Sequence, residues 1–336
     1  MAVKKLGLQT VRFNNPPSII GASSIVGPKE GKGPLANYYD LILNDNLYGE
    51  KSWEKAEIKI IKEAVEMAIK KSKIANNSIE YFIAGDLLNQ IISSSFAARE
   101  LEIPFLGIYG ACSTLAEGLG LGAIIIEGGF ADNLVVATSS HFCTAERQLR
   151  YPLELGNQRP PTAQWTVTGA GAIVISSKSQ NPRITHITTG KVIDMGENDP
   201  YHMGSAMAPA AVDTIVRHFQ DTGRTPDDYD LIVTGDLGSV GKDIVEDLIK
   251  QKGFDISKKY IDCGVTIYSS EQDVHAGGSG CACCAVVTCG YIIKEMLNGK
   301  YNKILVTATG ALLSPTSYQQ GETIPCIAHS VSIENL

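Results

Sequence analysis

The sequence predicts a layered α/β fold made of two pseudo-twofold-related halves. Three observations carry that reading: an internal repeat, glycine-rich segments opening at equivalent places, and apolar runs alternating with amphipathic ones. Ser78 to Leu87 is echoed by Asp227 to Leu237, so that Gly85-Asp86-Leu87 returns as Gly235-Asp236-Leu237. An amphipathic segment precedes each copy. Trp53, Ala56, Ile60, Ala64 and Met67 recur at helical spacing before the first, and Met207, Ala211, Ile215 and Phe219 before the second. A polar turn (Asn76-Asn77; Gly223 to Pro226) then leads into a short apolar run of buried-strand type. Downstream, Gly110-Ala111-Cys112-Ser113-Thr114 opens a segment rich in Ala and Gly, and Gly277-Gly278-Ser279-Gly280 opens its counterpart at 281–293. A strand follows each, at 133–138 and 303–309. The extra length of the second half is assigned to Lys252 to Val274, and the boundary gives halves at 1–178 and 179–336. Glycine costs about 1 kcal/mol in a helix interior, so glycine-rich helices are expected where neighbours pack closely, at the centre between sheets.

Composition narrows the function classes. The 336 residues carry a net charge of −7, with 44% hydrophobic and 19% charged residues and 33 Gly, which describes a globular chain and argues against nucleic acid as a partner. No cationic start with an apolar run marks a signal peptide, and no prenylation box stands at the C-terminus. The uncharged stretch 276–293 opens on a Gly-rich loop and is too short beyond it to cross a bilayer, so a buried helix is expected. Of the eight cysteines, 281, 283, 284 and 289 crowd onto one helix, which cannot surround an iron–sulfur cluster; they read as small buried residues in a reducing compartment.

Cys112 is the sharpest candidate for chemistry. It stands where a strand ends and a helix begins, where free N–H groups and the helix dipole favour an anion and lower a thiol pKa. The alternative is a small residue suited to a tight turn.

Two repeated halves with a cysteine after the third strand of the first resemble the thiolase superfamily, including condensing enzymes of the ketoacyl synthase III type. The resemblance implies a five-layered α-β-α-β-α fold and an acyl-accepting cysteine assisted by a His and a second His, Asn or Cys. Position by position, Asp236 or Leu237 stands where condensing enzymes carry a His, and Val274 or Gly278 where the next partner belongs. His275 is one residue from a thiolase match and reads as a surface or core histidine. Cys326-Ile327-Ala328-His329-Ser330 resembles the C-terminal thiolase turn, with a histidine replacing a glycine. Condensation needs a positioned base and donors aimed at the thioester oxygen, and an ionised Asp236 repels the enolate charge those donors stabilise. The residues therefore favour a fold kept for binding, with Cys112 as a vestigial nucleophile. The alternative is an active acyltransferase or ketoacyl synthase using Cys112, with His141 or His329 as base.

Longer motifs narrow the resemblance: Gly27-Pro28-Lys29-Glu30, Ala84 to Gln90, Ala137 to His141, Thr144 to Gln148 with Arg150-Tyr151-Pro152, Met203 to Pro209, and Thr309 to Pro315. Together they are similar, from end to end, to the stage V sporulation protein AD family. Membership implies binding of dipicolinic acid (pyridine-2,6-dicarboxylate) and a part in its uptake into the developing spore. It also implies membrane proteins of the same operon as partners and a peripheral place at the spore inner membrane. No cofactor is expected, with calcium admitted only as counter-ion of the ligand. A homodimer joined through the strand 134–138 is implied as well. The expected site gathers Cys112, Asp86, Asn89, His141, Asp236, His329 and the helix start at Ser279-Gly280, at strand ends. Asp86 and Asp236 are equally readable as helix N-caps, and His141 as a structural histidine. Arg147, Arg150 and Lys29 supply positive charge, or else surface ion pairs and a solvated loop.

Overall fold

The computed structural model describes residues 4–149 and 159–336; Arg150, Tyr151 and Pro152 lie outside the described residues. Each half contributes five main strands. The first holds β1 (Ser18–Val26), β2 (Tyr81–Gly85), β3 (Phe105–Gly107), β4 (Asn133–Ser140) and β5 (Gly169–Ser176). The second holds β6 (Arg183–Thr188), β7 (Leu231–Thr234), β8 (Tyr260–Asp262), β9 (Lys303–Ala311) and β10 (Cys326–Glu334). The spatial order is β3-β2-β4-β5-β1 in one and β8-β7-β9-β10-β6 in the other, the same arrangement twice. Pairing directions match too: the first three strands of each order run parallel, and the last two join antiparallel. The two sheets touch edge to edge at Ser18 and Arg183.

Helices fill three layers around these sheets. The amphipathic segments form α1 (Trp53–Ser72) and α5 (Met203–Thr222), joined on the outer faces by α2 (Ile92–Leu101) and α6 (Gly238–Gln251). Ser52 caps α1 by accepting the Lys55 N–H at 3.3 Å, and Ala56, Ile60 and Ala64 face the sheet, buried. The middle layer holds α3 (Thr114–Glu127) and α7 (Cys281–Val287), the latter continuing through a π turn at Thr288–Ile292 into α8 (Ile293–Leu297). A central core between the sheets and one core under each outer layer complete the five-layered α-β-α-β-α fold. The glycines of α3 explain the close approach. A methyl on Gly118 would stand 2.6 Å from Val136 Cγ1, and one on Gly122 2.7 Å from Ile175 Cδ1. Residues 281–290 are buried in this middle layer, and among the described residues no helix is long and apolar enough to cross a membrane.

Two expectations change. Strand 134–138 is no edge: β4 lies between β2 and β5 with every residue buried. The open edge of the first half is β3, which pairs only with β2 and leaves Leu106 and Gly107 exposed, as β8 is the edge of the second. Nor is 252–274 wholly an insertion, since β8 inside it is the counterpart of β3. The added chain falls mainly between Asp262 and Cys281, where it packs on the loop around Glu30 through Tyr268 and Gln272.

Candidate functional site

Cys112 sits at the end of a turn locked on all sides. Ser113 Oγ donates to the Gly110 carbonyl at 2.7 Å, and Thr114 Oγ1 donates to the Ala111 carbonyl at 2.6 Å while accepting the Gly110 N–H at 3.1 Å. Ala111 is held at φ +50, a left-handed conformation that costs an alanine about 1 kcal/mol or more. β9 presses on the same turn: a methyl on Gly310 would stand 2.1 Å from the Gly110 carbonyl oxygen. Cys112 is thereby aimed at the junction of the two halves.

There it meets Cys281, the first residue of α7, whose thiol donates to the Ala111 carbonyl at 2.9 Å. It also meets Asp236. That carboxylate, fully buried, accepts from Ser279 Oγ and the Gly280 N–H at 3.0 Å each and from Thr309 Oγ1 at 2.8 Å. The helix start at Ser279-Gly280 is thus filled by a protein carboxylate. The expectation of a lowered thiol pKa is overturned. The Cys281 thiol, burial and the Asp236 carboxylate push Cys112 well above the ordinary thiol range. Burial likewise raises Asp236.

The remaining predicted residues divide. Asp86 is buried and spent on its own half, accepting from the Leu88 N–H at 2.9 Å and from the Ser94 N–H and Oγ at 2.8 and 2.7 Å; it holds the first turn of α2. His141 is buried with both nitrogens engaged: Nδ1 accepts the Cys143 N–H at 3.2 Å, so Nε2 carries the proton donated to the Asn46 carbonyl at 2.7 Å. Burial keeps it neutral by lowering its pKa. His329 lies elsewhere, lining a cavity of about 140 Å³ with Glu117, Thr188 and Thr189 on the far side of α3. Its Nδ1 accepts the Gly190 N–H, and burial lowers its pKa to about 4. Arg147 pairs with Glu54. His275 sits beside Asp273 in a surface loop.

Above Cys112 is a closed hollow of about 20 Å³, lined by Leu87, Tyr109, Thr166, Met203, Ser279 and Leu313 among others, with no imidazole among its described lining residues. That is room for about one water. Tyr109 and Leu313 also line an open cleft of about 350 Å³, whose polar lining includes Asn89, Gln90, Gln148 and Ser314 and whose described residues include no charged side chain. Sequence reasoning named Asn89 as a site residue but missed Tyr109, Gln148 and Ser314, which come from three separate segments; Tyr109 stands three residues before the cysteine, and Gln148 and Ser314 lie inside the motifs at 144–148 and 309–315. Cys281 and Cys284 have the spacing of a metal-binding pair, yet among the described residues no group of three His, Cys, Asp or Glu is arranged to hold a metal.

Comparison with known proteins decides the family. A profile of stage V sporulation protein AD matches residues 7–334, and the stage V sporulation protein AD of Bacillus subtilis strain 168 is 51% identical over 332 residues, covering 99% of this chain and 98% of that one. The chain belongs to the stage V sporulation protein AD family. Solved structures similar in fold include 3-oxoacyl-[acyl-carrier-protein] synthase III from Aquifex aeolicus, with a TM-score of 0.60, 13% identity, and 95% and 99% of the two chains covered. A variant of OleA from Xanthomonas campestris gives a TM-score of 0.63 with 16% identity, covering 96% and 97%. A member of the stage V sporulation protein AD family is therefore built on the scaffold of condensing enzymes, with a carboxylate and a second thiol around the cysteine.

Proposed function

We propose that this sporulation protein binds dipicolinate in the cleft over Cys112 and takes part in its uptake into the developing spore. It does so as a homodimer at the inner membrane, beside membrane proteins of the same operon. The observation that carries the binding reading is a ring-sized cleft that shares Tyr109 and Leu313 with the Cys112 hollow, whose described lining has no imidazole. Condensing chemistry needs a base and oxyanion donors next to the thiol. Here the groups next to the thiol are Asp236 and Cys281, both of which hold its proton in place. The cleft is of the size that small ligands occupy, and amide and hydroxyl groups line it. Because its described lining has no cation, the bound form is the calcium chelate, in which the ion neutralises the carboxylates. Dimerisation is assigned to the open β3 edge, where exposed Leu106 and Tyr109 flank the unpaired strand.

Calorimetry with dipicolinate, with and without calcium, tests this. Saturable heat is expected, larger in affinity with calcium. Asn89→Asp, which adds a carboxylate to the cleft at an exposed residue, should weaken binding of the calcium-free dianion roughly tenfold and weaken the calcium chelate much less. An absence of heat sinks the reading, and so does a turnover-competent acyl adduct on Cys112 after incubation with acyl-CoA, read by mass spectrometry.

A further inference from the structure

A second place in the molecule is built for an anion. It lies away from the hollow, where the short parallel strands Trp165–Thr166 and Gly278–Ser279 pair. Thr166 and Ser279 line the hollow. Trp165, the neighbour of Thr166 in an extended strand, is directed to the opposite side. Phe142 stacks flat on one face of its indole, with centroids 3.8 Å apart and planes within 8°. The other face carries two cations: Lys29 Nζ stands 3.8 Å and the Arg159 guanidinium 4.8 Å from the ring centroid.

Two like charges on one ring repel, and little around them compensates. Lys29 Nζ makes no hydrogen bond or ion pair among the described residues. The neighbouring Glu30 carboxyl is turned inward, accepting from the Thr168 N–H and pairing with the Tyr268 hydroxyl. Arg159 gives one nitrogen to the Asp273 carbonyl at 2.8 Å, and the Asp273 carboxylate, 83% exposed, is 4.0 Å away. A carboxylate so exposed contributes little. Among the described residues, Arg159 Nη1 is buried with no partner. A buried guanidinium N–H favours an acceptor that can reach it.

We propose that Lys29 and Arg159, presented on the face of Trp165, form a binding site for a small oxyanion, a carboxylate or a phosphate. The aromatic face fixes the cations while leaving their N–H groups free, and the oxyanion supplies the acceptor that Arg159 Nη1 lacks. In a chain of net charge −7 this pair is a local exception. The site is independent of dipicolinate binding in the cleft.

The chain has two tryptophans, Trp53 and Trp165, so two indole N–H signals report on it in a ¹⁵N-labelled sample. Titration with inorganic phosphate, against sodium chloride at equal ionic strength, should move the Trp165 signal saturably and leave Trp53 in place. Sodium acetate forms a second arm and separates carboxylate from phosphate preference. Lys29→Gln with Arg159→Gln should weaken the response at least roughly tenfold. Should that variant misfold, the wild-type contrast between the two indoles still decides. A Trp165 response that fails to saturate, matches chloride, or survives the double substitution overturns the site.

Discussion

The two halves share one strand order and one Gly-Asp-Leu motif, yet they employ its aspartate for different work. In the first half Asp86 turns back onto its own helix, meeting Leu88 and Ser94. In the second half that duty falls to Asp262, at the end of β8, which accepts the N–H groups of Leu237 and Gly238 at 2.9 Å each. Asp236 is thereby released to reach across to α7 and to Cys112. Sheet register supplies the reason. Asp262 pairs with Thr234 in the second sheet, and in the first the residue paired with Ala84 is Gly107, which has no side chain to offer. A repeated motif fixes where a side chain starts; the residue on the adjacent strand decides what it must satisfy.

The largest test of this division is a pair of deletions. Asp236→Ala leaves three donors unmet where the lobes join and should cost roughly 3–5 kcal/mol in urea unfolding. Asp86→Ala should cost roughly 1–3 kcal/mol, since its donors lie within one half and the junction of the lobes is left intact. If Asp86 proves as costly as Asp236, the contrast is broken.

A smaller effect comes from pH. Each half buries a further carboxyl: burial and then Asp86 raise Glu57 to about 8, and burial raises Asp262 to about 7, against the combined pull of their hydrogen bonds. With a raised folded-state value, the folded chain holds more protons than the unfolded one between the ordinary carboxyl pKa and the raised one. Stability therefore falls as pH rises through that window and levels above it. Thermal melting of the wild type should show this fall from pH 5 to 8, on the order of 1–3 kcal/mol, and Glu57→Gln should flatten it most between pH 7 and 8. An equal slope in both proteins would remove Glu57 as its source.

The smallest effect is chemical. Cys112 is 8% exposed, so iodoacetamide at pH 7 should modify it more than about tenfold slower than a free thiol. Asp236→Asn, which removes one of the groups raising its pKa, should speed the reaction several-fold without opening the fold. Fast labelling of the wild-type cysteine would contradict the burial described above.

Much of the fold was legible because its cause is local. The amphipathic spacing of α1 and α5 and the glycines of α3 are direct demands of packing, and they are written where they act. The candidate site was legible only in part. Cys112, Asp236 and Ser279 do converge, as the repeat implied. His141 and His329 do not join them: a strand's alternation tells that a side chain is inward, while the layer it enters depends on the sheet order, which brings together strands far apart in sequence. The same blindness hid the open edge, since nothing within 134–138 says that β5 will cover it. The grouping joins Lys29 to the segment Arg159 to Trp165, far away in sequence, and nothing near either one announces the other.

The strand with the uncovered edge, β3, is also the strand that runs through Tyr109 into the turn of Cys112. Whatever zips onto that margin therefore grips the lip of the cleft. Thermodynamic reciprocity then applies: if a second subunit there tightens the hold on a small guest by some factor, the guest must tighten the subunit's hold by the same factor. Were the proposed dimer to form on β3 and the proposed ligand to fill the cleft, assembly and loading would be one coupled equilibrium.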